Sequence, residues 1–281
     1  MVGHLARLPF VALGGALALA SLVGCSGSPT DPLGLGGCLE GDRGTIAVGV
    51  SNTSGDPIVI EGVEKLDGYL HTAIFDRNEA ASWAAAALAT RGDITVGGAE
   101  QQELMTFLNV YRKVGGEFDV LEDGIRFWHP GCPLSPVQIE TDVHPGFMTD
   151  WQQPMVVALT QADGVSVVHE TVYENRFGFT DALNEMGANI VVHKDGIASI
   201  TRRVPRRKLE QAAVVTGPTP LHGADVRVPD LRGGFSHLIA ALAADGTSTI
   251  SNVGIIARGY ELFLDKLQQL GAEFEVVAAD A

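Results

Sequence analysis

One unit recurs three times over the last two-thirds of this chain, and that recurrence constrains the fold more than any property of its composition. The unit reads strand, Asp-headed apolar helix, Gly, strand, second helix, Gly, strand. The apolar helices open at Asp76-Arg77-Asn78-Glu79, Asp150-Trp151-Gln152-Gln153 and Asp230-Leu231-Arg232-Gly233. Gly92, Gly164 and Gly246 end them. Gly115, Gly187 and Gly271 end the second helices, at intervals of 23, 23 and 25 residues from the first set. A period of roughly 70 to 85 residues means one folding unit used three times.

Local patterning fills in the unit. Asp76 with Glu79, and Asp150 with Gln153, have capping-box spacing, in which the first side chain accepts a helix N–H and the residue three on reaches back. Ala84–Leu88, Met155–Leu159 and Leu238–Leu242 are apolar nearly all round, which predicts buried helices rather than amphipathic ones. The strands that follow are Ile94–Val96, Val165–Val168 and Thr249–Ser251. In the last unit Leu262, Phe263, Leu267 and Leu270 form one helical stripe. Glu117–Val120 and Glu273–Val276 alternate as strands do. Asp123-Gly124 and Asp195-Gly196 stand at hairpin turns. Each unit is therefore βαβαββ, over about 58–131, 137–203 and 213–278, and the third lacks its last hairpin. Three such units can close around a shared bundle of buried helices with the sheets outside.

The formal net charge of −15 argues against nucleic acid as a partner, because phosphate backbones need a basic surface. It leaves room for small anions, which a few local arginines can hold. Cys25, Cys38 and Cys132 show neither metal-ligand spacing nor a disulfide framework.

Residues 1–25 differ from the rest. The apolar run Leu8–Val23 is short for a spanning helix, which needs about 20 residues, and suits a signal-peptide core. It ends Leu22-Val23-Gly24-Cys25, which resembles a bacterial lipobox. Residues 26–57 are rich in Gly, Ser and Pro and read as a linker or remnant. Two readings stand here: a lipoprotein anchored to a membrane through Cys25, or a disturbed gene start.

From Ile58 to Val277 the chain resembles the UDP-N-acetylglucosamine 1-carboxyvinyltransferases, a family of enolpyruvyl transferases. The resemblance rests on Ile60-Glu61-Gly62-Val63, His71-Thr72 with Asp76-Arg77, Glu140-Thr141-Asp142-Val143-His144-Pro145-Gly146-Phe147 with Thr149-Asp150, Glu174-Asn175-Arg176-Phe177, Gly217-Pro218-Thr219-Pro220-Leu221, Asp230-Leu231-Arg232 and Arg258-Gly259-Tyr260-Glu261, all in family order. It implies an inside-out α/β barrel-like domain of three βαβαββ repeats, one of the family's two, with the site in the cleft between them. The Glu-Asn-Arg-Phe and Arg-Gly-Tyr-Glu stretches favour the UDP-sugar enzyme over the related shikimate-pathway synthase.

The implied reaction moves the enolpyruvyl group of phosphoenolpyruvate to a hydroxyl of UDP-N-acetylglucosamine and releases phosphate, with no metal or organic cofactor. It needs a base for the hydroxyl, an acid for the vinyl carbon and cations for the phosphate and carboxylate. By resemblance Asp150 is the base, Val172 touches the nucleotide-sugar through its backbone, Arg232 binds the phosphoenolpyruvate anion, and Arg176 is a cleft arginine. Arg176 also has a plainer reading, a salt bridge to Glu174 or a neighbour. Arg232 in the first turn of a helix opposes the dipole, so it needs a reason to be there.

Departures from the family pattern are equally plain. The family's N-terminal Lys-Asn pair has no counterpart, and Ala257 precedes Arg258 where the family commonly has Asp. Gly36-Gly37-Cys38-Leu39-Glu40-Gly41-Asp42-Arg43 matches the catalytic-loop pattern, which makes Cys38 a catalytic candidate. In the family that loop lies much further upstream of the segment matching Ile60. A cytoplasmic location follows from the substrates. The alternative is a non-catalytic lipoprotein binding module, and a complementing N-terminal domain is the expected partner of an active form.

Overall fold

The computed structural model describes residues 12–13, 70, 72–193 and 211–277. Cys25, Cys38, residues 26–57, Ile60–Val63 and the Asp195-Gly196 turn lie outside the described residues. The chain divides into two compact units, Phe75–Ala281 with Met1–Gly15, and Ala16–Ile74. Only Leu70 and residues 72–74 of the latter are described.

The larger unit keeps the predicted order of elements, but its first strand falls within residues 1–25, read as signal-like, and the second unit's last strand lies at Gln211–Gly217, beyond the expected 137–203. Strand β1 (Ala12–Leu13) lies parallel to β2 (Asp93–Gly97). Helix α1 (Arg77–Ala89) precedes β2, and α2 (Gln101–Val114) follows it and leads to the hairpin β3 (Glu117–Leu121) and β4 (Gly124–Trp128). The second unit runs β5 (Gln138–Glu140), α3 (Thr149–Leu159), β6 (Gly164–Glu170), α4 (Thr180–Glu185), β7 (Asn189–His193) and β8 (Gln211–Gly217). The third has β9 (Asp225–Arg227), α5 (Leu231–Ala243), β10 (Thr249–Ser251), a short 3-10 turn at Val253–Arg258 and α6 (Phe263–Gln269).

Repetition extends to topology. The first two sheets have the orders β1-β2-β4-β3 and β5-β6-β8-β7, so first, second, fourth and third strands stand side by side in both. In each the first pairing is parallel and the other two are antiparallel. In the third unit β9 and β10 form the same parallel pair.

Helices α1, α3 and α5 each pack on the other two and form the core. Ala80–Ala89 of α1 and Trp151–Leu159 of α3 are buried without a break, as the all-round apolar runs predict: a helix enclosed on every side has no polar face to offer water. Phe235 joins the two sides. Its ring stands edge-on to Trp83 at 5.0 Å and stacks on Tyr260 at 4.0 Å. The fit is poorer in α5, where Leu238, Ala241 and Leu242 are half-buried. Its own sheet has two described strands rather than four, so one side is less covered.

The second helices end as expected. Gly115, Gly187 and Gly271 take φ of 108°, 98° and 83°, the left-handed conformation that stops a helix without a Cβ penalty. Helix α2 buries Leu104, Phe107, Leu108, Tyr111 and Val114 as one stripe.

Three expectations are corrected. Asp150 is not an N-cap: Met148 caps α3 and Asp150 lies inside the first turn. Thr149 enters the helix one residue early, with its hydroxyl bonded to the Glu170 carboxylate at 2.7 Å. Leu262 is left out of the stripe on α6, because it precedes the helix at φ 50° and is exposed. Glu273–Val276 forms no strand. In the other units the third strand pairs only with the fourth, and among the described residues the third unit has no fourth strand to pair with.

Candidate active site

The first turns of the three core helices meet at one end of the bundle. Asp76 caps α1, its Oδ1 accepting from the Asn78 N–H at 2.8 Å. Asp230 caps α5, accepting from the N–H groups of Arg232 and Gly233, both at 2.9 Å. These two carry out the capping read from the sequence, which satisfies helix donors that have no intrahelical acceptor. Glu79 does not reach back to complete a capping box. It accepts instead from Trp83 Nε1 at 3.0 Å and Lys266 Nζ at 2.5 Å, pinning α6 to α1.

Asp150, released from capping, faces two guanidinium groups. Arg176 Nη2 donates to Asp150 Oδ1 at 2.5 Å. Arg232 Nε stands 3.6 Å from Asp150 Oδ2, and Arg232 Nη2 stands 3.6 Å from Asp76 Oδ2. The plainer reading of Arg176 as a salt-bridge residue holds, with Asp150 and not Glu174 as the partner. Gln153, spaced for the capping box, supports Arg176: with its amide oxygen facing the guanidinium, it accepts from Nε at 2.9 Å. Pro154 sits four residues beyond Asp150 inside α3, so it offers no N–H to the Asp150 carbonyl.

Arg232 opposes the α5 dipole, and its surroundings account for it. Its side chain is 13% exposed. Burial pulls the guanidinium pKa down, while Tyr260 and then the carboxylates of Asp76 and Asp150 pull it up, so that the net value lies above that of an ordinary arginine. Among the described residues its buried Nη1 has no hydrogen-bond partner. A buried charged donor left unpaired costs on the order of 1–3 kcal/mol or more, and groups of this kind are relieved by a bound anion. Tyr260 lies under Arg232, with the guanidinium carbon 5.3 Å from the ring centre and the hydroxyl 2.9 Å from Ser82 Oγ. Burial raises the Tyr260 phenol, and Arg232 and Ser82 partly counter it, which keeps it a neutral donor.

Val172 follows β6 in the loop that carries Arg176. Its N–H is already bonded to Glu170 Oε1 at 2.7 Å. Its carbonyl is therefore the backbone group that can meet a ligand. Cys38 lies outside the described residues. The structure thus gathers Asp150, Arg176 and Arg232 into one cluster and adds Asp76, Gln153, Ser82 and Tyr260, which the sequence reading did not assign to a site. A signal marked two of the four: Asp76 holds the repeat position of Asp150, and Tyr260 lies in the Arg258–Glu261 stretch that carries the family resemblance.

Two carboxylates and the Arg232 guanidinium at the helix N-termini, with the Arg176 guanidinium from the loop after β6 and one Arg232 nitrogen unpaired among the described residues, can hold a multiply charged anion beside a carboxylate able to take a hydroxyl proton. Comparison with known proteins identifies the family. Residues 45–267 match the family model for EPSP synthase (3-phosphoshikimate 1-carboxyvinyltransferase). The chain is 50% identical over 220 residues to a UDP-N-acetylglucosamine 1-carboxyvinyltransferase of Protochlamydia amoebophila, covering 78% of this chain and 47% of that protein. A protein of the same name from Chlamydia abortus is 42% identical, over 83% of this chain and 53% of its own length. Among solved structures, the enolpyruvyl transferase NikO from Streptomyces tendae superposes with a TM-score of 0.60 at 27% identity, over 73% of this chain and 44% of that one. An EPSP synthase from Acinetobacter baumannii shares the fold, with a TM-score of 0.55 at 17% identity. The chain spans about half the length of the curated relatives it matches. Within that span, the match of fold, repeat and sequence makes this chain a member of the EPSP synthase family of enolpyruvyl (carboxyvinyl) transferases.

Proposed function

We propose that this domain forms one wall of an enolpyruvyl-transfer site that takes UDP-N-acetylglucosamine and phosphoenolpyruvate, as in peptidoglycan synthesis. The single observation that carries the reading is the Arg232 guanidinium, buried beside Asp150 with Nη1 unpaired among the described residues. Arg232 holds the phosphoenolpyruvate anion. Asp150 takes the proton of the attacking sugar hydroxyl. Arg176 fixes the Asp150 carboxylate and adds positive charge to the cleft. The Val172 carbonyl meets the nucleotide-sugar. The names of the most similar relatives favour this sugar nucleotide over shikimate 3-phosphate. The remaining wall would be supplied by the part of the relatives that this chain does not span, and the place of work is the cytoplasm, where both substrates are made.

Calorimetric titration tests the assignment. Phosphoenolpyruvate should bind the purified chain, and Arg232→Gln should weaken it about tenfold or more, the loss of a charge-assisted contact of about 1.5–3 kcal/mol. Asp150→Asn should leave that binding within about threefold. Equal affinity in wild type and Arg232→Gln would remove the basis of the proposal.

A further inference from the structure

Glu170 ends β6 and is fully buried. Its carboxylate accepts four hydrogen bonds: from Thr149 Oγ1 at 2.7 Å, from Gln152 Nε2, and from the N–H groups of Val172 and Tyr173 at 2.7 and 2.9 Å. Among the described residues no cation pairs with it. A buried carboxylate without a counter-ion is expensive even when its lone pairs are filled, so its presence calls for a reason.

The threefold repeat supplies an internal control. Six residues after the glycines Gly92, Gly164 and Gly246 stand Gly98, Glu170 and Asn252. Gly98 has no side chain to make a tie and takes φ 75°. Asn252 makes a neutral tie, its Nδ2 donating to the Val228 carbonyl at 3.1 Å, just ahead of the α5 cap. A neutral amide is therefore enough to bind the strand end to the approach of a core helix. Only the second unit uses a carboxylate. Only there does the tie join a helix turn bearing Asp150 to a loop bearing Val172 and Arg176.

We propose that Glu170 is a positioning residue for this site. Two acceptor oxygens, which an amide cannot provide, hold the first turn of α3 and the Thr171–Tyr173 turn in one register. Asp150, Arg176 and the Val172 carbonyl then face the same ligand. The inference rests on the functional reading above and names the sugar-nucleotide half of the site as the part Glu170 organises.

The test is Glu170→Gln in the full chain, which keeps the shape and replaces one acceptor by a donor. Two readouts are needed. Amide hydrogen exchange at Val172 and Tyr173 should accelerate about tenfold or more while amides in β8 and α1 keep their wild-type rates. UDP-N-acetylglucosamine affinity should fall about tenfold while phosphoenolpyruvate affinity stays within about threefold. Should Glu170→Gln fail to fold, Thr149→Val cuts a single link and should produce the same selective loss at smaller size. If the wild-type chain binds no nucleotide-sugar, the functional reading fails, and the exchange contrast alone decides whether Glu170 orders the turn. Unchanged exchange at Val172 and Tyr173, or an equal loss of both affinities in step with global stability, overturns the proposal.

Discussion

Removing the Phe235 ring should destabilise the domain more than any other single truncation at the junction of α1 and α5. The side chain is 1% exposed. It touches Trp83 edge-on at 5.0 Å and stacks on Tyr260 at 4.0 Å with an interplanar angle of 10°. A buried Phe→Ala costs about 3–5 kcal/mol in transfer and cavity terms. Each well-formed aromatic pair adds about 0.5–1.5 kcal/mol. Because these contributions overlap, Phe235→Ala belongs at the upper end of the range, about 4–5 kcal/mol. Against a total of about 5–15 kcal/mol for a folded domain, that is about a quarter or more. With a urea dependence of about 2–3 kcal/mol per molar, the unfolding midpoint should drop by about 1.3–2.5 M. Urea titration followed by tryptophan fluorescence reads this directly, since Trp83 reports on the same junction. Val120→Ala, on the exposed side of β3, serves as the control and should move the midpoint little. A Phe235→Ala midpoint within about 0.3 M of wild type would refute the claim that the three helices share one packed core.

Further tests separate the roles of the three repeat aspartates and of the buried histidine. Asp76→Ala and Asp230→Ala should each lose about 1 kcal/mol by removing a working N-cap, whereas Asp150→Ala should lose distinctly less in the same thermal melts. Equal losses at all three would restore Asp150 as a cap. Burial lowers the His237 pKa, with the Phe179 carbonyl and Asp230 pulling the other way, and burial followed by the Arg91 charge lowers that of His129. A folded value below the unfolded one of about 6.5 means that the contribution is complete above that pH and is lost as pH falls through it towards the folded value. Melting temperature should therefore decline on acidification below about pH 6.5, and less steeply in His237→Gln. An identical slope in the variant counts against the assignment. The purified chain alone should release no phosphate from the two substrates together, because it spans about half of its relatives. Release that Asp150→Asn abolishes would show that one wall suffices.

The architecture was readable from the chain because its signals are local. Gly115, Gly187 and Gly271 stop helices through their own conformation, and the runs in α1 and α3 are apolar on every side, so neither needs a partner to be recognised. What was misread depends on partners. Asp150 has the spacing of a cap, yet whether it caps is decided by Thr149, which finds the distant Glu170 and starts the helix early. Glu273–Val276 has the alternation of a strand, but a strand exists only against a neighbour. Leu262 fits the stripe of α6 by spacing and falls outside because the helix begins one residue later. The same rule holds at the site. Arg232 stood out in sequence because it opposes a helix dipole. Tyr260 and Ser82, which hold it in place, had no local anomaly to mark them.

The central claim is that the N-terminal ends of α1, α3 and α5 form a substrate-binding wall. The most direct measurement is amide chemical-shift mapping of the isotope-labelled chain titrated with UDP-N-acetylglucosamine and, separately, phosphoenolpyruvate, up to about 10 mM, a range that detects binding as weak as about 3–4 kcal/mol. The account predicts saturable shifts at Thr149–Gln153, Thr171–Arg176 and Leu231–Gly233, with phosphoenolpyruvate acting chiefly on the last. Shifts confined to other surfaces, or none from either compound, would contradict it.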